Sequence, residues 1–252
     1  MEFSNKYTAG FALVVCLICS LVVSSLAVGL KDRQVENERL DKKRNILVVA
    51  GLTENSSASR EEIAKLFGGI KTFQVDRTSG ALKREIEFGT YDVVKAAKDP
   101  AQSESGLSNL ARVSSLPNTL EVYQVTADGE ECWILPIWGK GLWSTLYGYI
   151  SLETDLNTVK GITFYRHGET AGLGGEVDNP KWKALWNGKL VDIRLESPAL
   201  TVVKKGQVKD ASHEVDGLSG ATITSRAVGH MIDLWFGNQG YGPFISAQRE
   251  NQ

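Results

Sequence analysis

Ten residues near the carboxy terminus, Asp216-Gly-Leu-Ser-Gly-Ala-Thr-Ile-Thr-Ser225, carry the densest chemistry in the chain. Small and hydroxylated side chains crowd a loop that runs into Arg226 to Phe236. There Val228, Met231, Ile232 and Trp235 recur at helical spacing, so one face of an amphipathic helix is expected to be buried. Thr224 or Ser225 is then expected at the N-cap. A helix start presents unpaired N–H groups and the positive end of the helix dipole, and that suits a phosphate. Gly217 and Gly220 let backbone come close to such a group. The plainer reading is a Ser/Thr loop that only caps a helix.

A second run, Glu169-Thr-Ala-Gly-Leu-Gly-Gly-Glu-Val177, is Gly-rich and by itself signals no more than a turn between elements. A third, Trp138-Gly-Lys-Gly-Leu-Trp143, is a Gly-punctuated loop with an aromatic at each end that could pack on a flat ring. Lys204 and Lys205 follow a strand and could meet an anion. His167, His213 and His230 share no ligand spacing with a Cys or a carboxylate, so no metal is expected. A hydrolase using Ser219 or Thr222 lacks the Gly-x-Ser-x-Gly string, the local order being Asp-Gly-Leu-Ser-Gly-Ala.

These segments need a scaffold. The chain has 252 residues with 28 Lys and Arg against 30 Asp and Glu. That balance, with no basic block beyond Lys42-Lys43-Arg44, argues against nucleic acid. The 23 residues from Thr8 to Leu30 carry no charge, and as a helix they would span roughly 34 Å, enough for a bilayer. The run exceeds a usual signal-peptide core, which favours a retained anchor in membrane lipid within residues 1–30. Cys16 and Cys19 lie inside it as ordinary apolar residues. Its basic flank, Lys31, Arg33, Arg39, Lys42, Lys43 and Arg44 against Lys6 alone, would place the following domain in the cytoplasm by the positive-inside rule.

Residues 31–58 read as a polar stalk. A short amphipathic helix is expected from Ser59, an N-cap with Glu62 completing a capping box and with Ile63, Leu66, Phe67 and Ile70 as its apolar stripe. Residues 59–252 then form one domain. Leu120–Val125 and Cys132–Ile137 flank Asp128-Gly129 as a hairpin. Leu146–Leu152, Val159–Tyr165, Val191–Leu195 and Leu200–Val203 are further strands, with a helix over Pro180–Trp186. Strands and helices without regular βαβ alternation define an α+β fold behind a single amino-terminal transmembrane helix.

Ser219-Gly220-Ala221-Thr222-Ile223-Thr224 resembles the flavinylation motif of the FMN-binding domain family, and Glu169-Thr170-Ala171-Gly172-Leu173-Gly174 resembles that family's second signature. With one amino-terminal helix and this length, nearly the whole chain is similar to the family of C subunits of sodium-translocating NADH:quinone oxidoreductases. The G subunits of Rnf-type complexes are related, but usually have Pro where this chain has Ala171.

The resemblance implies covalent FMN, joined through its phosphate to the Thr224 hydroxyl, with Ser219, Gly220, Ala221, Thr222, Glu169, Thr170, Gly172, Leu173, Gly174, Trp143 and Lys205 around it. It implies a separate flavin transferase as the modifying enzyme, since no His or carboxylate at recognisable sequence spacing activates Thr224. It implies electron transfer from a membrane iron centre to the flavin of the B subunit, alongside subunits A, D, E and F. It also implies an inner-membrane anchor with the domain on the periplasmic side, against the charge count. The rival readings are a flavinylated Rnf-type subunit and a cofactor-free, membrane-anchored assembly protein.

Overall fold

The computed structural model describes residues 4–53, 58–127, 130–194 and 197–250. The chain divides into two compact units, Met1–Asp41 and Lys42–Gln252. In the first, α1 (Asn5–Gly29) is long and apolar enough to cross a membrane, and none of its side chains is buried. An uncovered apolar helix of 25 residues fits a membrane anchor.

The second unit starts at Lys42, inside α2 (Lys31–Val49) and inside the segment read from the sequence as stalk. The polar pattern ends before Asn45, and Ile46, Leu47, Val49 and Ala50 are apolar and buried in the domain. The helix α3 (Arg60–Phe67) begins where expected, with Ser59 Oγ accepting the Glu62 N–H at 3.2 Å and with Ile63 and Phe67 buried, but Gly68 and Gly69 end it, and Ile70, expected on its stripe, opens the first strand instead.

The framework is a six-stranded antiparallel sheet made of β1 (Ile70–Asp76), β2 (Leu82–Ile86) and four later strands. Between them lie α4 (Val93–Ala96) and the short pair β3 (Ser103–Ser105) and β4 (Ser115–Pro117). The later strands are β5 (Thr119–Ala127), β6 (Glu130–Lys140), β7 (Thr145–Glu153) and β8 (Val159–Arg166), and the spatial order is β2-β1-β5-β6-β7-β8. Asp128 and Gly129 lie outside the described residues, while the strands flanking them pair antiparallel, with Tyr123 opposite Ile134.

Alternation along β5 and β6 sends side chains to two cores, as period-2 geometry requires. Leu120, Val122, Trp133, Leu135 and Ile137 join one, and Tyr123, Val125, Cys132 and Ile134 join the other with Ile46, Leu47 and Ile63.

After β8 come a 3-10 turn (Gly174–Asp178) and α5 (Pro180–Ala184), which starts at the expected Pro. The expected strand Val191–Leu195 is reduced to β9 (Ile193–Arg194), paired with β10 (Ser197–Pro198); Leu195 lies outside the described residues. Next, β11 (Thr201–Val203) pairs in parallel with β12 (Glu214–Asp216). Last are α6 (Thr222–Phe236) and α7 (Gly242–Glu250). The face of α6 formed by Val228, Met231, Ile232 and Trp235 is wholly buried in the first core, which fixes the helix start relative to the sheet. A bulky core residue of this kind contributes about 3 kcal/mol or more against truncation.

Candidate functional site

The start of α6 differs from the sequence expectation. The cap residue is Ala221, with no side-chain cap bond, so Thr224 sits in the first turn and Ser225 one residue further on. The cause is local: Ser225 Oγ donates back to the Ala221 carbonyl at 3.0 Å and accepts the Leu218 N–H at 2.8 Å, tying the loop to the helix one turn earlier. Gly220 takes the left-handed conformation, φ 72°, that turns the loop into this start.

The turn places Thr224 against a carboxylate 55 residues away. Thr224 Oγ1 donates to Glu169 Oε2 at 2.7 Å, and both residues are buried. The Glu169 carboxylate also accepts the backbone N–H groups of Trp143 at 2.9 Å, Ser144 at 3.1 Å and Leu142 at 3.3 Å. Burial works to raise its pKa. The Thr224 hydroxyl and the three N–H groups outweigh that, and the carboxyl is held below its ordinary value. Thr224 thus has a carboxylate partner, though at no recognisable sequence spacing. The pairing is set by tertiary contact between two turns, which local spacing does not encode.

Two glycines permit this approach. A Cβ on Gly141 would lie 2.7 Å from Glu169 Oε1, and one on Gly174 would lie 2.6 Å from Thr224 Oγ1 and 2.8 Å from Glu169 Oε2. Gly172, φ 75°, turns the Thr170–Gly175 segment so that Gly175 N–H reaches the Thr170 carbonyl at 2.9 Å.

These turns enclose a cleft of about 280 Å³ lined by Leu142, Trp143, Glu169, Thr170, Leu173, Gly174 and Gly220 to Thr224. Its rim is apolar and open: Trp143 is 69%, Ile223 52%, Leu173 46% and Leu142 44% exposed. Large apolar side chains gathered around one opening mark a binding surface. The floor offers the first-turn N–H groups of α6, so the donor set suits a phosphate below and a flat, largely apolar ring above, as FMN requires.

Not every expected residue belongs to this cleft. Gly220, Ala221, Thr222, Thr224, Glu169, Thr170, Leu173, Gly174 and Trp143 line it. Gly172 shapes the turn from behind, and Ser219 is exposed outside the lining. Lys205 is drawn elsewhere: its Nζ pairs with Asp216 at 2.9 Å, beside a smaller cleft that shares Thr222. The aromatic-ended loop also resolves differently. Strand β6 continues to Lys140, so Trp138 is core, its ring 4.0 Å from that of Trp235, and only Gly141–Ser144 is turn. Leu142, Ser144 and Ile223 complete the site; their apolar or hydroxyl character beside Gly141 and inside the 219–224 motif was the available signal.

Residues 141–236, which contain every lining residue, match the model of the FMN-binding domain, and that defines the class of the domain. Over nearly their whole lengths, two proteins named as the C subunit of Na(+)-translocating NADH-quinone reductase are similar to the chain. The one from Pseudomonas aeruginosa is 44% identical, covering 99% of this chain and 98% of its own. The one from Vibrio vulnificus is 44% identical, covering 98% and 96%. The crystal structure of NqrC from Shewanella oneidensis superposes with a TM-score of 0.77 at 31% identity, covering 85% of this chain and 99% of that one. The chain belongs to the NqrC family, the C subunits of Na(+)-translocating NADH-quinone reductases, and so to an oxidoreductase complex with other subunits.

Proposed function

We propose that this chain carries FMN as a phosphoester on Thr224 and relays electrons inside its membrane complex. The observation that carries the reading is the placement of Thr224 in the first turn of α6, on the floor of an apolar-rimmed cleft. Bound there, FMN would supply reversible one- and two-electron chemistry. The chain's own residues do the rest. The first-turn N–H groups of α6 would balance phosphate charge, and Leu142, Trp143, Leu173 and Ile223 would shield the ring from water. A tether at Thr224 makes occupancy independent of free FMN, which suits a fixed relay.

In this reading a flavin transferase modifies the domain on the periplasmic side, electrons arrive from an iron centre of the membrane subunits, and they leave to the flavin of the B subunit towards ubiquinone. Subunits A, D, E and F are the remaining partners, with F oxidising NADH. A carboxy-terminal alkaline phosphatase fusion is then active and a green fluorescent one dark; the reverse pattern places the domain in the cytoplasm.

The attachment is tested by co-expressing the chain with a flavin transferase and viewing a denaturing gel under ultraviolet light. A fluorescent band is expected for the wild type and none for Thr224→Val. Fluorescence that survives the substitution moves the tether, with Thr222, two residues before it in the same motif and in the same cleft, the first alternative.

A further inference from the structure

The Thr224 hydroxyl is engaged in the unmodified chain, and its partner is, among the described residues lining the cleft, the carboxylate able to take a proton from it. Glu169 Oε1 accepts Trp143 N–H at 2.9 Å and Ser144 N–H at 3.1 Å, while Oε2 has only the 3.3 Å contact from Leu142 N–H besides Thr224 at 2.7 Å. One oxygen is thus pinned by backbone and the other is turned to the hydroxyl. Gly174 closes over the pair, since a Cβ there would meet both reacting oxygens at under 3 Å. An alcohol is a weak nucleophile until a neighbouring base orients it and takes its proton, and this is the arrangement such activation needs.

The geometry points to Glu169 as the residue that orients Thr224 Oγ1 and accepts its proton when FMN is attached, an inference that rests on the tether proposed above. In the step, Oγ1 attacks the FMN-side phosphorus of a flavin adenine dinucleotide brought by the transferase. The Oγ1–P bond forms and the pyrophosphate P–O bond breaks. AMP departs with that bond's electron pair, and the hydroxyl proton passes to Glu169 Oε2. Nothing is oxidised or reduced.

The reverse polarity of an amide gives the test its edge. Glutamine has a single acceptor oxygen, which the two closer N–H groups, Trp143 and Ser144, require at the Oε1 position. Its NH2 would therefore donate to Thr224 Oγ1 and occupy the lone pair that must attack.

The full-length chain, purified without flavin, is incubated with flavin transferase and FAD, and covalent flavin is followed with time at varied chain concentration. Glu169→Gln is expected to lower the kcat of attachment by about tenfold or more with KM for the chain unchanged, and Glu169→Asp, which keeps a carboxylate, to recover part of it. Gly174→Ala, which forces the pair apart while keeping both groups, is expected to lower kcat as well, and it serves if Glu169→Gln does not fold. Wild-type kcat in Glu169→Gln or in Gly174→Ala overturns the role. So does equal loss in Glu169→Gln and Glu169→Asp, which would mark a merely structural contact. Label that survives Thr224→Val overturns the tether itself, which separates the two failures.

Discussion

Glu169 and Glu121 are both buried glutamates of one domain, 8% and 4% exposed, yet their acidities move in opposite directions. Glu121 lies on β5, and burial pushes its carboxyl up to about 7; the Tyr123 hydroxyl and the charge of Lys42 pull it back, and Asp92 pushes it further up. Lys42 itself is committed to Asp92 at 3.3 Å. Glu169 exposes almost as little surface, yet it lines an open cleft and so is less deeply desolvated, while a turn aims three N–H groups at it and Thr224 adds a hydroxyl. A low surface exposure alone therefore does not decide the charge of a carboxylate; depth of burial and the supply of donors decide it together. The loop end of the sheet is built to keep a charge beside Thr224, whereas the strand face around Glu121 tolerates one poorly.

The largest break in this comparison is Glu121→Gln. The folded chain holds a proton on Glu121 that the unfolded chain has lost between the ordinary glutamate value and about pH 7. Wild-type stability should fall as pH rises across that window and level off above it. Glu121→Gln should be more stable than wild type by about 3 kcal/mol at pH 8, with the difference vanishing near pH 4.5. Urea unfolding at the two pH values checks this, and a destabilised variant at pH 8 contradicts it.

Glu169→Gln should go the other way and less far. A carboxyl held below its ordinary value contributes stability above the unfolded-state value, lost as pH falls through the folded one. The variant is expected to be less stable at neutral pH by about 1–2 kcal/mol, with the gap closing in acid. An unchanged gap at low pH would mean that packing, not charge, is what the substitution removes.

The smallest effect belongs to His213, which bridges Asp192 at 2.8 Å and Asp210 at 2.7 Å. The two carboxylates raise its pKa, Asp192 more than Asp210, so its contribution is complete below the ordinary histidine value and lost as pH rises through the folded one. His213→Asn should therefore cost under about 1 kcal/mol at pH 6 and less at pH 8. A cost that grows with pH would contradict the bridge.

What the sequence made legible follows the same division. Strands with a long apolar face were readable, as in Leu120–Val125 and Val159–Tyr165, and α6 was readable from Val228, Met231, Ile232 and Trp235, whereas β1 was missed because its first residue, Ile70, also fits the stripe of the helix before it. Strand β2, Leu-Lys-Arg-Glu-Ile, is exposed on an edge and offers no alternation, so it could not be seen. In the site, the motif residues were legible one segment at a time. Their gathering around one site followed only from the family resemblance and not from local pattern, because the Thr224–Glu169 bond joins turns from distant parts of the chain whose separation carries no period. Trp138 and Trp143 show the limit most sharply. Five positions apart and alike in sequence context, one is core because β6 runs on to Lys140, and the other is rim because the turn follows.

The claim that Thr224 carries the cofactor is tested most directly by proteolysis of the chain after co-expression with a flavin transferase, followed by mass spectrometry of the peptide holding residues 216–226. The account predicts one FMN phosphoryl adduct, with fragment ions placing it on Thr224 alone. An adduct on Ser219, Thr222 or Ser225, or an unmodified peptide from a chain that nevertheless fluoresces after denaturation, would contradict it.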